Sequence, residues 1–150
     1  AGLVRFDAAD ADEGVAVAGG GASAACDAED AWLGLRARPA VLRGAYCVEF
    51  ELLNDCLLRV GWGAPTSRRA LGTDDRSFGY GGTGMKSHAN KFEPYGKAHE
   101  GRTGCVVTCL LDRRRPRQQT ISYLLDGEDL GVAFRLPPWM AEVALLPAVC

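Results

Sequence analysis

Nowhere does this sequence run long in apolar residues, and no stretch approaches the ~20 that a helix needs to cross a bilayer, so no membrane-spanning helix is expected. Charge bias is equally scarce. Seventeen Lys and Arg stand against 19 Asp and Glu, a net charge of −2, which gives no global attraction to nucleic acid or anionic lipid. Any electrostatic partner must be met by a local patch. Histidine is rare, with only His88 and His99. Neither has a Cys or Ser at a spacing that argues for a nucleophile, and both are expected on solvated loops. No Cys-x-x-Cys pair and no Asp-Glu-Ala-Asp string occurs. Structural zinc is therefore not expected, no cofactor is called for, and no catalytic residue is named. The opening Ala1–Asp7 has neither a basic region nor an apolar core of the secretory kind. The absent initiator methionine reads as a domain cut from a longer chain.

What is present is enough for one domain with a real core, since a chain of 150 residues buries roughly 70% of the surface its unfolded form exposes. Six cysteines (Cys26, Cys47, Cys56, Cys105, Cys109 and Cys150) are read as reduced, small buried hydrophobes rather than staples. From Tyr46 onward the pattern has a period of two. Tyr46, Val48, Phe50 and Leu52 alternate with Cys47, Glu49 and Glu51, which predicts a half-buried strand. Asn54-Asp55 supplies a turn. Leu58, Val60 and Trp62 then form a second run, expected to pair with the first as an antiparallel hairpin. Ser77–Gly81 is a short aromatic strand studded with glycine, and Val106–Leu111 suits a central strand. Ile121, Tyr123 and Leu125 alternate up to Asp126-Gly127, a pair that signals a type I′ hairpin turn because both central residues need positive φ. Leu130–Phe134 is the return strand. Val143–Cys150 is a last one, placed at an edge or bent by Pro147. Ala28–Arg38 favours helix by propensity, but Gly34 interrupts it and its apolar residues lack a 3.6 period. Many short strands between turn signals predict an all-β fold, an antiparallel sandwich of two sheets.

Several strings come close to chemistry. Gly79–Ser87 almost spells a P-loop, but Met85 separates Gly84 from Lys86 and no helix opens after it; it reads as a glycine-rich loop after a strand. Cys105 and Cys109 would share a strand face about 13 Å apart, too far for one metal ion. Asp74-Asp75 and Glu128-Asp129 lie next to turn residues, where carboxylates serve turns and solvation. Trp32, Trp62, Phe78 and Tyr80 read as core. Trp139, after Pro137-Pro138, reads as a surface anchor.

An ordered set of strings resembles the SPRY domain: Trp32–Ala37, Gly44–Glu49, Leu58–Trp62, Leu71–Asp74, Ser77–Gly82, Cys109–Asp112, Ile121–Gly131 and Leu146–Cys150. Gly81–His88, followed by Phe92, Tyr95 and Gly96, is most similar to the SPRY insert of DEAD-box RNA helicases. The SPRY domain of heterogeneous nuclear ribonucleoprotein U is a close second. Two departures stand out. The family's Gly-Asp-x-Ile/Val-Gly-Cys is here Gly104–Cys109, with Cys105 for the Asp and Thr108 for the second Gly. The family also continues past the position of Cys150 into a last strand. The resemblance therefore implies residues 14–150 as a SPRY jelly roll without its last strand, and residues 1–13 as a flank.

A non-catalytic interaction module is what the resemblance implies, in a nuclear or cytoplasmic protein whose parent is an ATP-dependent RNA helicase. An RNA-binding protein of the heterogeneous nuclear ribonucleoprotein U type, or a substrate-recognition module of a ubiquitin ligase, is the alternative. Its partner would be a protein or peptide segment held by end loops, at Pro65, at Lys86, His88 and Lys91, and at Trp139. RNA, or an acidic partner, is a second expected partner through the basic run Arg113, Arg114, Arg115 and Arg117. That run also reads as a solvated hairpin loop, because one loop makes few phosphate contacts. A second basic set, Lys86, His88, Lys91 and Lys97, would strengthen the patch if it met Arg59 and Arg69 in space.

Overall fold

The computed structural model describes residues 3–150. Among these residues are thirteen strands: β1 (Arg5–Ala11), β2 (Ala16–Ala18), β3 (Ser23–Ala25), β4 (Leu35–Arg38), β5 (Gly44–Glu51), β6 (Arg59–Gly63), β7 (Ser77–Gly81), β8 (Met85–His88), β9 (Lys91–Pro94), β10 (Val106–Arg113), β11 (Thr120–Leu125), β12 (Glu128–Arg135) and β13 (Leu146–Val149). The one helical turn among the described residues is 3-10, over Pro138–Met140. A seven-stranded sheet runs β1-β4-β13-β6-β7-β8-β9, and a four-stranded sheet runs β12-β11-β10-β5. A small β2-β3 hairpin stands apart from both. All pairings are antiparallel.

The two sheets face one another across a core built from the alternating residues. Val48 and Phe50 point inward from β5, Val60 and Trp62 from β6, Phe78 and Tyr80 from β7. Val107, Cys109 and Leu111 of β10 and Ile121, Tyr123 and Leu125 of β11 join those of β5 in the four-stranded sheet, facing β6 and β7 of the other. Trp62, Tyr80 and Tyr123 are fully buried, and each buried aromatic of this size contributes on the order of 2–3 kcal/mol of burial free energy. Ring contacts link the layers: Tyr80 lies 5.2 Å from Tyr123, and Phe78 lies 5.0 Å from Phe134.

Several expectations are corrected. The strands around Val48 and Val60 do not form a hairpin. β5 pairs with β10, and β6 lies between β13 and β7 in the other sheet. Both runs carry a buried face, so they stack across the core instead of sharing a ladder. β13 is not an edge strand but sits between β4 and β6. Pro147 is accommodated because the ladder to β4 engages only Ala148 and Val149. The glycine-rich Gly82–Gly84 is a tight turn after β7, but the residues beyond it are strand: β8 and β9 form a hairpin whose turn residues, Ala89 and Asn90, have φ of 52° and 59°. Trp32 is no core residue and stays 38% exposed. The Ala/Asp/Gly-rich start, which shows little periodicity, still contributes β1. Asp10 on that strand takes Arg36 at 2.6 Å and Arg69 at 2.9 Å, tying β1 to β4 and to the segment after β6. The Asp126-Gly127 turn has φ of 48° and 82°, as a type I′ hairpin requires.

Candidate interaction surface

The registers define the two ends of the sandwich. Gly63 lies opposite Ser77 and Leu146, and Phe78 lies opposite His88. These pairings put the end of β6, the start of β7, the β8-β9 turn and the start of β13 at one end. In the other sheet Arg113 lies opposite Gly44, and Thr120 lies opposite Arg135. The link is Arg113 itself. Buried to 2% exposure, its guanidinium donates to the carbonyls of Val41 and Val143 at 2.7 Å, of Met140 at 2.8 Å, and to Gln119 Oε1 at 3.0 Å. The end of the four-stranded sheet is thereby fastened to the helical turn and to the chain entering β13. Pro65, His88, Lys91, Trp139 and the Arg114–Arg117 loop therefore share one end of the molecule, although 74 residues separate the first from Trp139 in sequence.

Within that end the roles differ from residue to residue. Pro65, Lys91 and Trp139 are exposed, Trp139 at 51%. Lys86 is half-buried; its ammonium donates to the Ala133 carbonyl at 2.8 Å and lies 5.5 Å from the Phe134 ring. It clamps β8 to β12 and offers little to a partner. His88 is half-buried on β8, not on a solvated loop, because its ring stacks on Phe78 at 4.2 Å and its Nδ1 meets the Ser77 carbonyl at 2.9 Å. Arg113 has no guanidinium left for phosphate, so it leaves the basic patch; the alternating strand runs one residue further than the charge run suggests. Arg114 folds back on Asp112 at 2.7 Å. Its hydrogen bond holds the Asp112 carboxyl well below the usual carboxylate range, at about 2.

Arg115 and Arg117 stay exposed, with no ion pair among the described residues. Arg43 and Arg135, outside the basic run read from the sequence, come to the same rim through the partners of β10 and β11, and Arg43 meets Glu142 only at 3.4 Å on the open surface. Lys97, Arg59 and Arg69 do not join them. Lys97 pairs with Glu128 at 2.8 Å near the opposite end, Arg69 pairs with Asp10 and Asp12, and Arg59 lies on Trp32. His99 is fully buried edge-on to Tyr80 at 5.1 Å, again not on a solvated loop. No group of three or more metal-ligating side chains gathers among the described residues.

The SPRY domain family model matches residues 45–150. The chain belongs to the SPRY domain family. It is 40% identical over 119 residues to the ATP-dependent RNA helicase Ddx1 of Drosophila melanogaster, covering 79% of this chain and 16% of that protein. It is 35% identical over 135 residues to the ATP-dependent RNA helicase DDX1 of Xenopus laevis, covering 89% and 18%. It is also 33% identical over 129 residues to heterogeneous nuclear ribonucleoprotein U-like protein 2 of Mus musculus, covering 79% and 17%. The SPRY chain thus spans less than a fifth of the length of these relatives. No helix among its described residues is long and apolar enough to cross a membrane.

Proposed function

We propose that this SPRY domain is a non-catalytic docking module of a DEAD-box RNA helicase in the nucleus or cytoplasm, and that a protein segment docks on the end bearing Pro65, Lys91 and Trp139. The observation that carries this reading is the convergence there of loops distant in sequence, on a scaffold locked by Arg113. Exposed loops on a rigid sandwich are where recognition residues concentrate, and an exposed Trp beside arginines has the composition of an interface hot spot. Neighbouring identity to two helicases supports the parent. A Gly-Lys-Thr P-loop before this segment and an Asp-Glu-Ala-Asp box after it are expected in the full gene.

The test is a photo-crosslinking residue at position 139, with position 53 near the other end as control. One discrete protein adduct from position 139 alone is expected. Trp139→Ala should weaken that partner by about 2 kcal/mol, roughly thirtyfold, as a hot-spot tryptophan does. Equal adducts from both positions would refute the docking end.

RNA is a second reading, favoured by Arg43, Arg115, Arg117 and Arg135 on one rim. It calls for affinity that falls steeply with salt. Reversing Arg115, Arg117 and Arg135 to Glu should then abolish RNA binding, and unchanged affinity rejects it.

A further inference from the structure

At the other end, on the outer face of the seven-stranded sheet, Arg59 opens β6 in a setting that packing alone does not explain. Its stem crosses Gly79 and Gly81; a Cβ at Gly81 would crowd the Arg59 Cγ at 3.3 Å, and one at Gly79 would touch its Cβ at 3.6 Å. The guanidinium carbon then lies 3.9 Å from the Trp32 ring centre and 5.0 Å from that of Phe92. Stacking of this kind holds the planar group in one orientation. One N–H reaches the Leu71 carbonyl at 3.3 Å. Arg59 forms no ion pair among the described residues, whereas Arg36, Arg38, Arg69, Arg102 and Arg114 each do.

Beside this arginine is a cavity of about 140 Å³ bordered by Trp32, Leu57, Thr83, Met85 and Phe92. Its volume suits one side chain. Trp32, Leu57 and Phe92 are 38%, 43% and 43% exposed, an apolar rim around a fixed cation.

We propose that this cleft is a second recognition site, independent of the docking end, which takes the acidic side chain of an extended segment of a partner protein. The methylene stem of a glutamate would lie on Met85, Leu57 and Phe92, with its carboxylate on the forked N–H groups of Arg59. A held guanidinium loses little freedom on binding a planar carboxylate. The surroundings select against a polyanion. The Cβ of Glu100 stands 3.3 Å from where a Gly82 side chain would begin, which sets one acidic residue at the margin of the cleft. An acidic residue there disfavours a phosphate chain, while one carboxylate flanked by apolar residues reaches Arg59 across the apolar rim.

The experiment is a titration of the isotope-labelled 150-residue protein with a blocked leucyl-glutamyl-leucine tripeptide, followed by NMR. Saturable shifts are expected at the Trp32 indole and the Arg59 Nε–H, and the glutaminyl tripeptide should bind about tenfold more weakly, a difference of one charge-assisted contact. Arg59→Lys keeps the charge but not the fork and should also weaken binding. Thr83→Glu, on an exposed turn away from the stack, should abolish it without disturbing the spectrum elsewhere. Equal binding of the two tripeptides, no saturation at millimolar concentration, shifts confined to the Trp139 indole, or Arg59 shifts produced instead by a short RNA would each overturn the proposal. Trp139→Ala should leave this titration unchanged, so the two sites fail or succeed separately.

Discussion

Arg113 and His99 are the residues whose chemistry the fold most changes. Arg113 is a cation with no carboxylate partner, satisfied by backbone carbonyls and the Gln119 side-chain oxygen. Burial pulls its pKa down, yet arginine starts so high that it stays charged. Truncation to Ala would leave those carbonyls and Gln119 without donors. Arg113→Ala should therefore cost about 3–5 kcal/mol, the range for breaking a buried charge arrangement, seen as a lower urea midpoint. Arg113→Lys should recover only part of it, because one ammonium cannot span four acceptors. His99 is the pH-sensitive counterpart. Burial first, then the charge of Arg102, push its pKa below the ordinary 6.5. The unfolded chain therefore takes up the proton first. Stability is expected to fall as pH drops below 6.5 and to level off once the folded His99 is itself protonated. His99→Phe should flatten that part of a pH series of urea melts. A separate decline should follow between about pH 4 and pH 2, where the carboxyl of Asp112, at about 2 when folded, is protonated.

At the scale of elements, the turn between β11 and β12 is the cleanest case of local chemistry deciding structure. Gly127 has φ of 82° with no other atom crowding its missing side chain. Gly127→Ala should cost about 1–2 kcal/mol from the left-handed backbone alone, measurable in thermal melts, with ligand binding at the far end untouched. β5 is the opposite case. Among the described residues it pairs only with β10, so its other edge has no strand beside it. Beside it a cavity of about 820 Å³ opens between the sheets, lined by Phe6, Leu35, Val48, Phe50 and Val149 among others. A bare edge next to apolar surface templates self-association. Cys47→Lys, placing a charge on the exposed part of that strand, should raise the concentration at which light scattering increases.

Across the whole molecule, charge is sorted by the fold rather than by composition. A net charge of −2 hides a rim where Arg43, Arg115, Arg117 and Arg135 gather, while Lys97 and Arg102 near the other end are neutralised by Glu128 and Asp126. Binding at the rim should weaken on raising salt from 0.1 to 0.5 M, because exposed charges are screened within about 10 Å at 0.1 M. Binding at the Arg59 cleft should weaken less, since that guanidinium is partly withdrawn from solvent. Titrating both sites in one salt series checks this.

Strand existence was legible wherever apolar residues alternated, as in Val48-Phe50, Ile121-Tyr123 and the Asp126-Gly127 turn, because a period of two is a property of each segment by itself. β1 was hidden because its partners, Arg36 and Arg69, stabilise it through ion pairs rather than through apolar alternation. Which strands are neighbours was not legible, and the expected hairpin of β5 with β6 failed for that reason: pairing is chosen by burial on the opposite sheet. The same holds for the functional surface. The residue types at Pro65, Trp139 and Arg113–Arg117 could be named from the sequence, but their convergence, the withdrawal of Arg113 into the interior and the capture of Arg59 between Trp32 and Phe92 depend on contacts between segments far apart in the chain. Local pattern determines what each stretch of backbone becomes. Only packing decides which side chains are left free to meet a partner.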